Sequence, residues 1–151
     1  MNFVVLDTCS ILHVLRGKDL GMKVVAEIEK IVNPTILISV VTKAELNSLK
    51  IRLEWGGSRS KNLNNYLESM ICIDINGSDE DLLNAYALID TFSQGKNTDN
   101  NGEKLKGSSK NMGKNDLWIA ATAYLFECAL ITTDNDFTHL NTKLINVVTV
   151  N

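Results

Sequence analysis

The sequence predicts a three-layer α/β/α domain built on a mostly parallel central sheet. Two observations carry this reading. Short β-branched runs alternate with segments of helical periodicity, and the first run is apolar without interruption, as a strand buried on both faces must be. Short connections between such elements favour right-handed crossovers between parallel strands. At 151 residues, with 44% apolar and 22% charged side chains, the chain can fill one core and shows no boundary for two. Residues 1–151 are therefore read as a single domain, without internal repeats.

Residues 2–7, Asn-Phe-Val-Val-Leu-Asp, are expected to form the central strand and to end it on a carboxylate. Leu20, Val24, Val25, Ile28, Ile31 and Val32 then recur at helical spacing, with Lys23, Glu27 and Lys30 opposite, until Asn33-Pro34 ends the helix. Residues 35–39 read as a second strand. Thr42-Lys43-Ala44-Glu45 has the capping-box pattern, opening a helix that turns Leu46, Leu49 and Leu53 inward and that Gly56-Gly57 weakens or ends. Residues 70–75 form a short strand, and Ser78-x-x-Asp81 opens the next helix. Residues 93–115 hold four glycines and little apolar material beyond Leu105 and Met112, which predicts a long mobile loop. Leu117 to Phe126 is apolar nearly all round, hence a buried helix, and residues 130–133 and 145–150 supply the last two strands.

Composition narrows the function. The apolar start meets Asp7 almost at once and no stretch is long enough to span a bilayer, so neither export nor membrane insertion is expected. Cys9, Cys72 and Cys128 lie too far apart for a disulfide framework or a metal knuckle, and a reducing cytoplasm is the expected location. A net charge of -3 argues against nucleic-acid binding by bulk electrostatics. Positions 43–61 and 93–115 are nevertheless locally basic, the second with five lysines against Asp99 and Glu103. His13 and His139 lack zinc spacing, and Trp118, Tyr124 and Phe126 read as core.

The chemistry sits in the acids. Asp7 ends the first strand and Asp134 follows the 130–133 strand, so both face the rim where an α/β sheet builds its active site. Glu45, in the first turn after the second strand, and Asp116, at the start of the buried helix, can lean over the same rim, with Asp136 two residues past Asp134. Two carboxylates ~4 Å apart at an effective dielectric near 20 repel by ~4 kcal/mol, a conflict that a divalent cation resolves. All-oxygen ligands favour magnesium or manganese. Each acid also has a plainer reading: Glu45 completing the capping box, Asp116 capping its helix, Asp134-Asn135-Asp136 forming a polar turn. Asp7 has none so simple, since a charge ending an apolar strand requires a partner or a metal.

Three local patterns, Val5-Leu6-Asp7-Thr8, Ser39-x-x-Thr42-x-x-Glu45-Leu46, and Gly113-Lys114-Asn115-Asp116-Leu117-Trp118-Ile119-Ala120 leading to Leu130-Ile131-Thr132-Thr133-Asp134-Asn135-Asp136-Phe137, follow one another across essentially the whole chain. In this order they resemble the PIN-domain nucleases, and within them the VapC-type toxins of bacterial toxin-antitoxin pairs. The resemblance implies that Asp7, Glu45, Asp116 and Asp134 bind the metal, with Asp136 as a further contact and Thr8 and Thr132 as supports. It also implies RNA as substrate, a homodimer held by apolar helix faces, and a small antitoxin that obstructs the acidic pocket. Cys9-Ser10 after Asp7-Thr8 and the length of the 93–115 loop depart from the family pattern.

The expected reaction is hydrolysis of an RNA phosphodiester with magnesium or manganese. Lys50, Arg52, Arg59, Lys110 and Lys114 are the candidates for holding the RNA backbone, and the 93–115 loop for gating access. An aspartyl-phosphate phosphatase would require a second carboxylate where Cys9 stands, and a receiver domain an early acidic pair that is absent. A non-catalytic PIN-like module that binds RNA or protein remains the alternative.

Overall fold

The unbroken apolar run at the amino terminus lies where such a run must. In the computed structural model, which describes residues 1–151, it is β1 (Asn2–Leu6), the middle strand of a five-stranded sheet. With β2 (Pro34–Ser39), β3 (Ile71–Ile73), β4 (Ala129–Thr132) and β5 (Asn146–Thr149), the order is β3-β2-β1-β4-β5, every neighbouring pair parallel. Because side chains alternate across a strand, the sheet feeds two separate cores. Val5, Leu37, Leu130 and Val147 point into one, closed by Ile89 and Phe92 of α5 (Glu80–Ser93) and by Leu117 and Ala121 of α6 (Lys114–Leu125). Val4, Leu6, Ile38 and Ile131 point into the other. That side is closed by Ile11 of α1 (Thr8–Arg16), Val24 of α2 (Asp19–Glu29), Leu46 of α3 (Val40–Arg52) and Leu63 of α4 (Gly57–Glu68). The three layers and the parallel sheet agree with the sequence expectation.

The strand order reverses between β1 and β4. The chain leaves β1 toward the α1–α2 side to reach β2, and arrives at β4 from the α5–α6 side. Loops at the carboxyl ends of these two strands therefore part to opposite faces and leave a crevice between them, the usual ligand position in an open α/β sheet.

Local differences from the sequence reading have local causes. Helix α1 is not signalled by strong helix formers, since it opens on Thr-Cys-Ser. Asp7 caps it by accepting from the Ser10 N–H, and Gly17, at φ 66°, closes it. Helix α4 is polar with one buried residue, Leu63, so it carries almost no periodicity. Helix α3 begins two residues before Thr42, because the Ser39 hydroxyl accepts from the Val41 N–H and provides the cap. Thr42 is fully buried inside the helix, so no capping box forms there. Helix α2 stops at Glu29, short of Val32, which is 73% exposed. No helix is long and apolar enough to cross a membrane.

Between α5 and α6, residues 94–113 form turns and one isolated bridge, Thr98 to Lys104. Asp99 organises them locally, its carboxylate accepting from the Asn101 and Glu103 N–H groups. The Lys110 N–H donates to the Ser93 carbonyl at 2.7 Å, and Leu105 and Met112 pack on the α5–α6 core.

Helices α1 and α2 are in close contact at Gly21, where an added Cβ would stand 2.0 Å from the His13 carbonyl oxygen. Backbone cannot yield as a side-chain tip does. Gly21→Ala is therefore expected to destabilise the protein by about 3 kcal/mol or more, beyond the usual overpacking cost. Urea unfolding of the variant against wild type measures it, and an unchanged midpoint contradicts so tight a crossing.

Candidate metal centre

The crevice at the β1–β4 switch point is lined by acids from four elements. Asp7 leaves the end of β1 and is 3% exposed, an unusual position for a charge. Both of its oxygens are held: Oδ1 accepts from the Ser10 N–H at 2.9 Å, and Oδ2 accepts from the Thr132 hydroxyl at 2.5 Å. Thr132 in turn accepts from the Asp134 N–H at 2.9 Å, so a single hydroxyl fixes an acid on β1 and the backbone of an acid after β4. The Ser10 hydroxyl donates to the Ile131 carbonyl and ties α1 to β4. Across the crevice, Thr8 donates to Glu45 Oε1 at 2.7 Å, with the Thr42 hydroxyl 3.4 Å from that of Thr8.

On the α6 side, Asp116 lies in the helix's first turn, whose N-cap is Gly113 with no side-chain cap. Asp116 thus makes no cap hydrogen bond, and as an acid in a first turn it is also favoured by the helix dipole. Its carboxylate and those of Asp134 and Asp136 present oxygens all within 4.8 Å of one another. Asp134 also caps the 3-10 segment Asn135–Leu140 by accepting from the Asp136 N–H, so it serves as turn residue and cluster member together.

The electrostatics register the crowding. Burial first, then Asp134, Glu45, Asp136 and Asp7 in falling order, push the Asp116 carboxyl up to about 6. Burial also raises Asp7, against the stabilising hydrogen bonds from Thr132 and Ser10. The Cys9 thiol, next to Asp7, is pushed up to about 11 by burial and then by Asp7, Asp134, Asp116 and Glu45. An all-oxygen donor set with no cation of its own fits a hard dication held by Asp116, Asp134 and Asp136, with Asp7 and Glu45 adjoining.

The chain matches the PIN domain family over residues 4–143. It belongs to that family. No match is found among curated proteins. Among solved structures, this PIN domain is similar to VapBC2 from Rickettsia felis, solved bound to a DNA fragment from their promoter. The TM-score is 0.71 at 20% identity, covering 99% of both chains. It is also similar to VapBC-5 from Mycobacterium tuberculosis, a member of the VapBC family of toxin-antitoxin systems, with TM-score 0.62 at 21% identity over 99% of this chain and 100% of that one. VapBC-1 from nontypeable Haemophilus influenzae gives TM-score 0.64 at 20% identity over 97% of each. These likenesses establish the fold.

Around the PIN domain's acids, the basic residues singled out in the sequence divide into two groups. Lys114 opens α6 two residues before Asp116, and Lys110 shares a groove with Asp136. Lys50 and Arg52 instead lie about 7–10 Å farther along α3 than Glu45. Lys50 bonds Asn64 of α4, and Arg59 lies 5.1 Å over the Trp55 ring. Sequence reasoning missed Ser10 and Cys9 as neighbours of the acids, and read Thr42 as the capping partner of Glu45, where the structure sets its hydroxyl beside that of Thr8. For Ser10 the signal was present, as the third residue after an Asp that caps a helix.

A carboxyl raised by folding favours the folded state below its unfolded value near 3.8, and that advantage is lost as pH rises through about 6. In chelator, Asp116→Asn should therefore raise the melting temperature at pH 7.5 and change it little at pH 4. A variant no more stable at the higher pH would mean that burial and the neighbouring acids do not raise the Asp116 carboxyl. Thr132→Val removes the Asp7 and Asp134 contacts together and should cost about 1–3 kcal/mol by urea unfolding.

Proposed function

We propose that this PIN domain is a magnesium- or manganese-dependent endoribonuclease and the toxin of a toxin-antitoxin pair, acting in the cytoplasm. The observation that carries the reading is the convergence of Asp7, Glu45, Asp116, Asp134 and Asp136 on one crevice, where burial and then the neighbouring acids push the Asp116 carboxyl toward neutrality. When bound, a hard dication supplies charge neutralisation there and activates water toward a phosphodiester. The chain's own residues supply placement. Thr132 and the Ser10 N–H fix both oxygens of Asp7, and Thr8 orients Glu45, so three of the contacts that aim these acids come from residues that are not themselves acidic. Lys110 and Lys114 stand on the α6 side of the acids, where they would hold the RNA backbone.

A protein partner belongs to the same reading. VapBC-5 is a member of a toxin-antitoxin family, and the resemblance implies an antitoxin that obstructs the acids and a homodimer held by apolar helix faces. In support, Ile51 is 79% and Leu53 54% exposed, and Leu53 lines a cavity of about 320 Å³ together with Leu12, Leu15, Arg16, Trp55 and Arg59. The Trp55 indole N–H is buried there without an acceptor.

Single-stranded RNA should be cleaved by the purified protein with manganese and left intact in excess chelator. Asp7→Asn should reduce the rate by more than the about 10–100-fold that loss of a supporting residue costs, with an unchanged circular-dichroism spectrum. Thr8→Val should fall within that 10–100-fold range. Cleavage by Asp7→Asn at the wild-type rate removes the proposed centre. If wild type binds manganese but cuts no RNA, a non-catalytic module is the correct reading.

A further inference from the structure

Beside the acids runs a second, polar groove of about 400 Å³, lined by Lys110, Asn111, Asn135, Asp136, Thr138 and His139, with Met112 as its one apolar wall. Asp136 belongs both to this groove and to the carboxylate cluster, so the two adjoin there. One wall is the segment before α6, the other the 3-10 segment after β4.

The groove is clamped open by one buried residue. Ser93, 1% exposed at the end of α5, holds the first wall through its carbonyl, which accepts from the Lys110 N–H at 2.7 Å. Its hydroxyl lies 2.8 Å from His139 Nε2 on the second wall and 3.3 Å from Met112 Sδ on the first. Both walls are therefore referenced to the same helix end, and Lys110 and Asn111 are presented from a fixed backbone. The only ion pair in the molecule is Lys30–Glu27. The Lys110 ammonium is thus uncommitted even though it shares the groove with Asp136.

A free ammonium beside side-chain amides suits a nucleotide: the cation meets a phosphate, and an amide offers paired donor and acceptor to a base edge. Only unpaired bases expose such edges to a groove of this kind, because the deep groove of an RNA helix excludes side chains. We propose that this groove is a nucleotide subsite for single-stranded RNA next to the cleavage centre, with Lys110 holding a phosphate and Asn111 reading the base. Ser93 acts as the positioning residue. The inference rests on the nuclease reading for its substrate, and assigns to the segment before α6 the choice of where the RNA is cut.

The test uses the full chain, fluorescent single-stranded RNA of random sequence, and two readouts. Binding is followed by anisotropy in chelator across a salt series, and cut sites are sequenced after manganese is added. Lys110→Met should weaken binding about tenfold and lower the salt slope by about one, as loss of one phosphate contact does. Lys104→Met, equal in charge change but outside the groove, should have a clearly smaller effect. Asn111→Ala should flatten base preference at one position flanking the cut by about tenfold, with a smaller change in salt slope than Lys110→Met. The proposal is overturned if Lys110→Met and Lys104→Met weaken binding equally, or if Asn111→Ala retains the wild-type cut-site pattern. If wild type cuts nothing, the nuclease reading fails by itself, and the anisotropy comparison still decides whether RNA occupies the groove.

Discussion

The structure depends on how one buried carboxylate is held. Asp7 ends the central strand with almost no exposure, and an isolated charge there would cost several kcal/mol even after relaxation. It is retained because both oxygens find donors, one from the first turn of α1 and one from Thr132 at the end of β4. The same contacts start α1, tie β1 to β4 across the switch point, and through the Thr132 oxygen fix the backbone of Asp134. A hydroxyl donates only one proton. Since Thr132 gives its proton to Asp7, it can only accept from Asp134, and the relation between the two acids has a direction.

The arrangement trades stability for a site. Asp116, Asp134 and Asp136 approach within 4.8 Å without a neutralising side chain, although the sequence contains 15 Lys and Arg. Burial first, and the neighbouring carboxylates after it, push the Asp116 carboxyl up to about 6 and the Cys9 thiol up to about 11. Ordinary packing would relieve the crowding by placing an arginine in the crevice. Strain that a fold retains at the mouth of a sheet, where a ligand can remove it, is the usual form of a stability–function trade-off.

What could be read from the sequence was what a strand or a long periodic helix imposes. The buried runs at β1, β2 and β4 fixed the sheet and the side on which Asp7 and Asp134 emerge, and the apolar α6 fixed the position of Asp116. The hidden parts depend on tertiary pairing. Thr42 has the right neighbours for a cap, yet Ser39 is nearer the end of β2 and takes the role, which frees Glu45 to meet Thr8 from 37 positions away. Helix α1 is stabilised by Asp7 and by burial of Ile11 more than by propensity, so only a structure reveals it. The Ser93–His139 contact spans 46 positions and leaves no pattern at all.

The charge distribution explains how an acidic chain can address a polyanion. With a net charge of -3, long-range attraction is absent, and any affinity for RNA must arise within about a Debye length of the contact surface. Over that distance the carboxylates would repel a phosphate unless their charge is cancelled, while Lys110 and Lys114 would attract it only if unpaired. Both conditions are met in one place: the acids form a set suited to a dication, and neither lysine is spent in an ion pair. Cation and RNA would then enter as one thermodynamic unit, each improving the site for the other, and the affinity of either measured alone would understate that of the two together.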